Sequence, residues 1–281
     1  MTDFSGVSEE DTQVEGPAQY RPDPPAMVEG RILHADADFY AYQAGYRWEE
    51  ESLSQSITAL KMIIESARIM AGAQTIQLHL TMGTKGGRYE WARLHEYQAQ
   101  RGSRPEGLTD RVSELRHWMA NCTAPGIVPH AWTDREADDG LTQRMHRAVA
   151  DGTEHLNPMW SLDKDLYMAP GLHMNGETYQ LEDFSVGTGY CVLDDSTSTK
   201  KVKGRGTSFF WHQLLMGDSA DNIKGLPSFS VEHTIAVWPT QAMMKAEDRV
   251  KAARTGTAKK AALTALRKKV ESAKPKKCGP V

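Results

Sequence analysis

Four stretches far apart in the chain place closely spaced carboxylates at the end of an apolar run or the start of a helical one. No other feature restricts the fold as much. Asp36 closes the run 31–36 (RILHAD) and Asp38 follows it. Glu136, Asp138 and Asp139 come after the run 126–132 and open a helical pattern through Leu141, Met145 and Val149. Asp163 and Asp165 follow 155–162, and Asp218 and Asp221 follow the helical run 208–217. Any one of these is ordinary, because aspartate caps helices, favours turns and complements the positive end of a helix dipole. Their repetition is not. In an open parallel sheet ligands sit beyond the carboxyl ends of the strands, so acids that end three strands converge on one crevice. Carboxylates crowded in this way repel one another unless cations compensate, and a donor set made of oxygens selects Mg²⁺ or Mn²⁺ over zinc.

The rest of the pattern agrees with such a sheet. Leu53, Ile57, Leu60 and Ile64 recur at spacings of three and four, which predicts a helix over 53–70. Strands are expected at 31–36, 75–81 and 126–132, with a fourth at 155–162. Strands alternating with helices give an α/β fold with a mostly parallel sheet and helical crossovers. The segment 83–125 is long for a crossover; it is rich in Arg, Glu and Gln and holds at least one helix. Residues 171–206, with Tyr179, Leu181, Tyr190 and Val192 at alternating positions, read as hairpin strands. From about residue 240 the chain reads as two helices parted by Thr255-Gly256-Thr257, with Leu263, Leu266 and Val270 as an apolar stripe.

Charge is distributed unevenly. The chain of 281 residues carries a formal −4. Residues 1–30 hold seven acids and one arginine, and residues 245–281 hold twelve Lys/Arg against three acids. Removing that −6 and that +9 from the total leaves −7 for residues 31–244, and without the eight constellation acids this middle would be +1. Acidity is therefore concentrated in one candidate site, while the basic C-terminal segment suits phosphate. The first 29 residues, acidic and Pro-rich without apolar periodicity, are expected to be a mobile tail. No apolar stretch approaches the roughly 18 residues of a spanning helix and no basic-then-apolar leader opens the chain, so a cytoplasmic location without membrane contact is expected. Cys122, Cys191 and Cys278 lack C-x-x-C spacing and read as incidental thiols.

Five blocks carry a family resemblance: ILHADADFYAYQAG (32–45), GRYEWARLHEYQAQR (87–101), READDG (135–140), SLDKDL (161–166) and FFWHQLLMGDSADNIKGLP (209–227). Together they resemble the stand-alone 5′→3′ exonucleases of bacteriophages, within the flap endonuclease superfamily. The G-D-x-x-D-N-I-x-G block is the most specific. The resemblance implies a PIN-like (Rossmann-like), mostly parallel sheet flanked by helices, a helical arch at about 83–125 and a helical C-terminal DNA-binding region. The corresponding division is a tail at 1–29, a PIN-like nuclease domain at 30–206 and a DNA-binding region at 207–281 with an inserted basic helical hairpin.

It further implies hydrolysis of DNA phosphodiester bonds in phage replication or recombination, with two or more Mg²⁺ or Mn²⁺ ions. Their ligands would be Asp36, Glu136, Asp138, Asp139, Asp163, Asp165, Asp218 and Asp221, with Asp38 as an extra. Lys85 and Arg88 would contact the scissile phosphate as catalytic residues. Tyr42, Tyr97, Arg101, Asn222 and Gly225 would contact DNA, and K⁺ would belong to the C-terminal motif. The implied partners are DNA with a free 5′ end, flap or nick, and the RNA–DNA hybrid; the implied state is a monomer in the host cytoplasm.

The chain departs from the pattern in three places. Relatives carry another aspartate at the end of strand two, where this chain reads Leu80-Thr81-Met82-Gly83. The usual F-R and Y-K pairs are Gly87-Arg88 and Tyr97-Gln98. Residues 228–273 read as an inserted helical hairpin, and 276–281 resemble the start of a second duplex-binding helix, so that region is expected to be truncated. The alternative function is accordingly a catalytically weak or inactive DNA-binding relative.

Overall fold

The computed structural model describes residues 23–91, 97–98, 102, 104–176, 178–185, 189–194, 201–218 and 222–226. The expected tail up to residue 22, the hairpin at 228–273, Arg101 and Asp221 lie outside the described residues.

The expected mostly parallel α/β sheet is present. Strands β1 (Val28–Asp36), β2 (Ala73–Thr81), β3 (Ile127–Trp132), β4 (Met159–Trp160), β5 (Leu172–Met174) and β6 (Leu181–Asp183) form one sheet in the order β3-β2-β1-β4-β5-β6. All neighbours are parallel except β5 and β6. The chain leaves β1 toward β2 and β3, then returns to β4 on the other side of β1. The strand order thus reverses between β1 and β4, and at such a switch point the strand ends splay to leave a crevice.

Side-chain alternation sorts the two faces. Leu33 and Ala35 of β1, with Ile76, Leu78 and Leu80 of β2, are fully buried in one core with residues of α1 (Ala37–Gly45), α2 (Leu53–Met70) and α4 (Glu106–Ala120). Helix α2 starts where a capping box allows it: Ser52 Oγ accepts from Gln55 N–H, and Gln55 Oε1 accepts from Ser52 N–H at 2.8 Å. Its buried residues Leu60, Ile64 and Ala67 form the stripe that seats it. The short helix α3 (Arg88–Trp91) precedes α4 in the long connection after β2.

The opposite face is polar where it meets α5 (Ala137–Ala150). Trp132 donates its indole N–H to His79 Nδ1 at 3.0 Å. His79 must then carry its proton on Nε2, which faces His34 Nδ1 at 3.2 Å, and His34 Nε2–H is left to donate to Asn157 Oδ1 at 3.0 Å. Only neutral rings complete this chain. Burial is the main reason that the pKa values of His34 and His79 lie below the ordinary histidine value. A smaller apolar cluster of Leu141, Met145, Met159, Leu166 and Ala169 completes this side.

Gly140 lets α5 come close to the sheet. A Cβ there would stand 2.1 Å from the Trp132 ring. Gly140→Ala should therefore lower stability by about 1–3 kcal/mol through overpacking, although alanine is the better helix former. Thermal melting checks this, and a rise in Tm would refute the close-approach argument.

His173 gives a pH signature. It donates from Nε2 to Ala169 O at 2.9 Å, and burial pushes its pKa down to about 4, with the Arg205 charge assisting. A depressed histidine contributes stability that is full above its unfolded pKa of about 6.5 and is lost as pH falls toward 4. The stability advantage of the native protein over His173→Gln should shrink by about 2 kcal/mol between pH 7 and pH 5. Chemical denaturation at both pH values measures this, and a constant difference would contradict it.

Beyond β6, the strands β7 (Tyr190–Asp194) and β8 (Lys201–Arg205) pair as a separate antiparallel ribbon ahead of α6 (Gly206–Met216). After α6, β9 (Gly217–Asp218) and β10 (Ile223–Lys224) close a short loop. Among the described residues no helix is long and apolar enough to cross a membrane.

Candidate metal and nucleic-acid site

At the switch point the carboxyl ends of β1 and β4 open into a cavity of about 710 Å³. Among the described residues, eight acids line it: Asp36, Asp38, Glu136, Asp138, Asp139, Asp163, Asp165 and Asp218. Four cations, Lys85, Arg88, Arg104 and Arg116, share the lining with Tyr42 and Tyr97. Seven of the eight expected ligands therefore surround one space, and the eighth, Asp221, lies outside the described residues.

Each acid is held by its element's terminus. Asp36 ends β1 and caps α1, its Oδ1 accepting from Phe39 N–H at 3.3 Å and its Oδ2 from Ser161 Oγ at 3.1 Å. Burial, then the charge of Asp38, pushes its pKa up to about 7. Glu136 precedes α5 in a capping box with Asp139, so α5 starts with three carboxylates near its positive end. Burial, followed by the charges of Asp36 and Asp163, pushes the half-buried Asp138 up to about 9. Asp163 caps the 3₁₀ turn Lys164–Met168 and accepts from Asp165 N–H at 2.9 Å, while Gln213 of α6 donates to Asp165 Oδ1 at 2.6 Å.

Asp218 and Gly225 belong to the loop after α6. Gly217 has φ 76°, and a Cβ on it would lie 2.3 Å from Gly225 N; a Cβ on Gly225 would lie 2.2 Å from the Met216 carbonyl group. Glycine at both ends of the G-D-x-x-D-N-I-x-G block is thus a packing requirement. Asn222 sits between them at φ 60°.

Cations already occupy several carboxylates. Arg88 contacts Glu136 through Nη1 and holds both oxygens of Asp139 through Nη2 at 2.7 Å. Tyr97 accepts from Arg88 at 3.2 Å and donates to Glu136 at 3.1 Å, and Lys85 Nζ lies 3.6 Å from Glu136. Burial opposes the Arg88 charge, but Tyr97, Glu136 and Asp139 hold its pKa above the ordinary value. Lys164 bridges Asp165 at 3.5 Å and Asp218 at 3.3 Å. Among the described residues, no three Asp, Glu, His or Cys side chains are gathered to hold a metal ion as they stand. In the cavity expected to hold metal, Glu136, Asp139, Asp165 and Asp218 have cationic partners. As a donor set the cavity still fits a hard divalent ion, being all oxygen and having two acids, Asp36 and Asp138, whose pKa is raised by burial and then by neighbouring carboxylates.

Sequence reasoning missed Arg116, Ser161 and Gln213. Ser161 was readable, since a Ser two residues before Asp163 makes a local turn, and its Oγ accepts from Asp163 N–H at 3.0 Å. Arg116 and Gln213 had no such signal, because each meets its acid across 78 and 48 residues of sequence. Tyr42 lies on the cavity wall with the Arg104 guanidinium 5.3 Å from its ring centre.

No family model and no curated protein matches the chain. Among solved structures, its α/β fold is similar to that of the bacteriophage T5 5′-exonuclease with divalent metal ions (zinc) bound. That match has TM-score 0.50 and 13% identity and covers 86% of this chain and 89% of that one. The T5 protein co-crystallised with metal ions matches at TM-score 0.48 and 14% identity, covering 73% of each chain. The T5 flap endonuclease in a pseudo-enzyme-product complex with DNA and metal ions gives TM-score 0.48 and 14% identity, over 86% and 87%. At such identities the common property is the fold.

Proposed function

We propose that this chain is a metal-dependent 5′ nuclease that hydrolyses phosphodiester bonds in DNA carrying a free 5′ end, nick or flap. The observation that carries the reading is the convergence of eight carboxylates on one cavity at the switch point, with Lys85 and Arg88 beside them. The T5 exonuclease of like fold binds divalent ions, which supports the same use of these acids.

In this reading Asp36, Glu136, Asp138, Asp139, Asp163, Asp165, Asp218 and Asp221 would hold two or more Mg²⁺ or Mn²⁺ ions. Such ions, when bound, activate water and offset charge on the leaving oxygen. The chain's own groups do the rest. Asp36 and Ser161 fix the floor of the site, and the α5 capping box fixes Glu136 and Asp139. Arg88 and Lys85, once released from those acids, meet the non-bridging oxygens of the scissile phosphate and stabilise charge that develops there. Tyr42 offers a ring face to a terminal base, and Tyr97 holds Arg88 in place. The basic segment 245–281 supplies sequence-independent attraction to the backbone.

The test is cleavage of a 5′-labelled duplex, a flap and an RNA–DNA hybrid in Mg²⁺ and then in EDTA. Products in Mg²⁺ that vanish in EDTA are expected. Intact nucleic acid in every Mg²⁺ lane would overturn the proposal and leave the non-catalytic DNA-binding relative in its place.

A further inference from the structure

Three of the cations at or beside the cavity are tied to acids that the proposed function assigns to metal: Lys85 and Arg88 at Glu136 and Asp139, and Lys164 at Asp165 and Asp218. Arg116 is held differently. Its Nε donates to Asp38 Oδ1 at 2.8 Å and its Nη2 lies 2.7 Å from the same oxygen as an ion pair, and Asp38 is itself held by Thr81 N–H at 3.2 and 3.3 Å. A guanidinium gripped along one edge has its plane fixed. Its Nη1 makes no hydrogen bond to a described residue, and the group lines the cavity with roughly a third of the side chain exposed.

A second guanidinium is mounted beside it. Asp38 and Tyr42 lie four residues apart on α1, hence on one face and about 6 Å apart along the helix. Arg116 is fixed to the first and Arg104 rests on the second. The pair forms a cationic edge along α1 that engages none of the acids assigned to metal, and planar guanidinium forks match phosphate oxygens.

We propose that Arg116, oriented by Asp38, contacts a backbone phosphate of the bound strand and forms with Arg104 a two-point phosphate rail along α1. This rests on the nucleic-acid reading above and names a binding subsite within it. Asp38 is then a positioning residue that acts through Arg116.

The competing account is that the Asp38–Arg116 pair only ties α4 to α1. The two differ in salt dependence, because each neutralised phosphate adds about 0.7–0.9 to the slope of log K against log salt. Binding of a fluorescent 5′-flap DNA to the full chain is measured in EDTA by anisotropy over a range of salt, with thermal melting alongside. Arg116→Gln should lower the slope magnitude by about 0.7–0.9 and weaken low-salt binding roughly fivefold or more. Arg116→Lys should keep the slope while losing affinity, since it keeps the charge and loses the fork. Arg104→Gln, at an exposed position, should lower the slope by a like amount without a loss of Tm. An unchanged slope in Arg116→Gln or Arg104→Gln, whatever the Tm, overturns the rail while native DNA binding and cleavage leave the nuclease reading intact. Absence of DNA binding by the native chain removes both.

Discussion

Asp138→Asn is expected to abolish cleavage and at the same time to make the metal-free protein more stable. Asp138 stands at the centre of the crowding, where burial and then the charges of Asp36, Asp163, Glu136 and Asp38 raise its pKa to about 9. A raised carboxyl contributes stability that is full below its unfolded pKa of about 3.9 and is lost as pH rises toward the folded value. At pH 7.5 most of that loss has occurred. An amide of the same shape is neutral without taking up a proton on folding, and after discounting for its half-buried position the gain should be about 1–2 kcal/mol. For a chain of this size that is a rise in Tm of several degrees in EDTA. Cleavage should fall by about 10³-fold or more, since the acid proposed to hold the ions at the reacting phosphate is gone. Mg²⁺ should raise the Tm of the native protein and do so much less for the variant. Two measurements suffice, melting with and without Mg²⁺ and single-turnover cleavage. A variant that melts lower in EDTA would contradict the charge crowding, and one that cuts at the native rate would remove Asp138 from the machinery.

Much of the frame was legible because local pattern determines it. The 3.6-residue recurrence of Leu53, Ile57, Leu60 and Ile64, with Ser52 and Gln55 ahead of it, sets the helix at Leu53–Met70 as expected from the sequence. Strand limits were less readable. β2 starts at Ala73, two residues before the expected run, because Ala73 pairs with Val28, and that pairing is a property of the assembled sheet. Likewise β1 reaches back to Val28. The expected fourth strand at 155–162 contracts to Met159–Trp160: Glu154–Leu156 forms a 3₁₀ turn, and Pro158, without an N–H, contributes only its carbonyl to His34. The hairpins expected in 171–206 divide, one extending the main sheet through antiparallel β6 and the other standing apart as β7–β8.

The site shows the same division. Acids at strand ends and helix starts are visible in sequence because capping and switch-point geometry are local rules applied several times. Their partners are not visible. Arg116 reaches Asp38 and Gln213 reaches Asp165 only after the sheet is assembled, and nothing in the spacing of α4 or α6 marks those residues. The histidine layer beneath α5 is hidden for a different reason. His34, His79 and His130 are scattered singly, and only parallel pairing of β1, β2 and β3 sets them side by side. The end of β2, where the resemblance leads one to expect an aspartate, meets a carboxylate from elsewhere. Asp38, from the first turn of α1, brings a carboxylate to the N–H of Thr81 at the end of β2.

Arg88→Ala is expected to tighten divalent-ion binding in the absence of DNA while slowing cleavage in its presence. The Arg88 guanidinium lies on Glu136 and grips both oxygens of Asp139, and Tyr97 braces it there. Any ion that uses those oxygens must displace it. A charge-assisted, two-point hydrogen bond contributes about 1.5–3 kcal/mol, so its removal should improve Mn²⁺ affinity on the order of tenfold, as measured by calorimetry or Mn²⁺ resonance. Once displaced, the same group is free for the phosphate, where loss of one positioned cation typically costs about 10²-fold to 10³-fold in turnover. The two effects oppose each other, and this separates the exchange from a merely structural role. A weakened scaffold would loosen both metal and DNA, whereas a residue that serves only as a phosphate contact would leave metal affinity unchanged. Arg88→Lys should fall between, because a lysine keeps the charge but cannot hold Glu136 and Asp139 together through a planar fork. Native-like metal affinity in Arg88→Ala would therefore refute the exchange, and native-like turnover would show that the phosphate is held by other cations of the cavity.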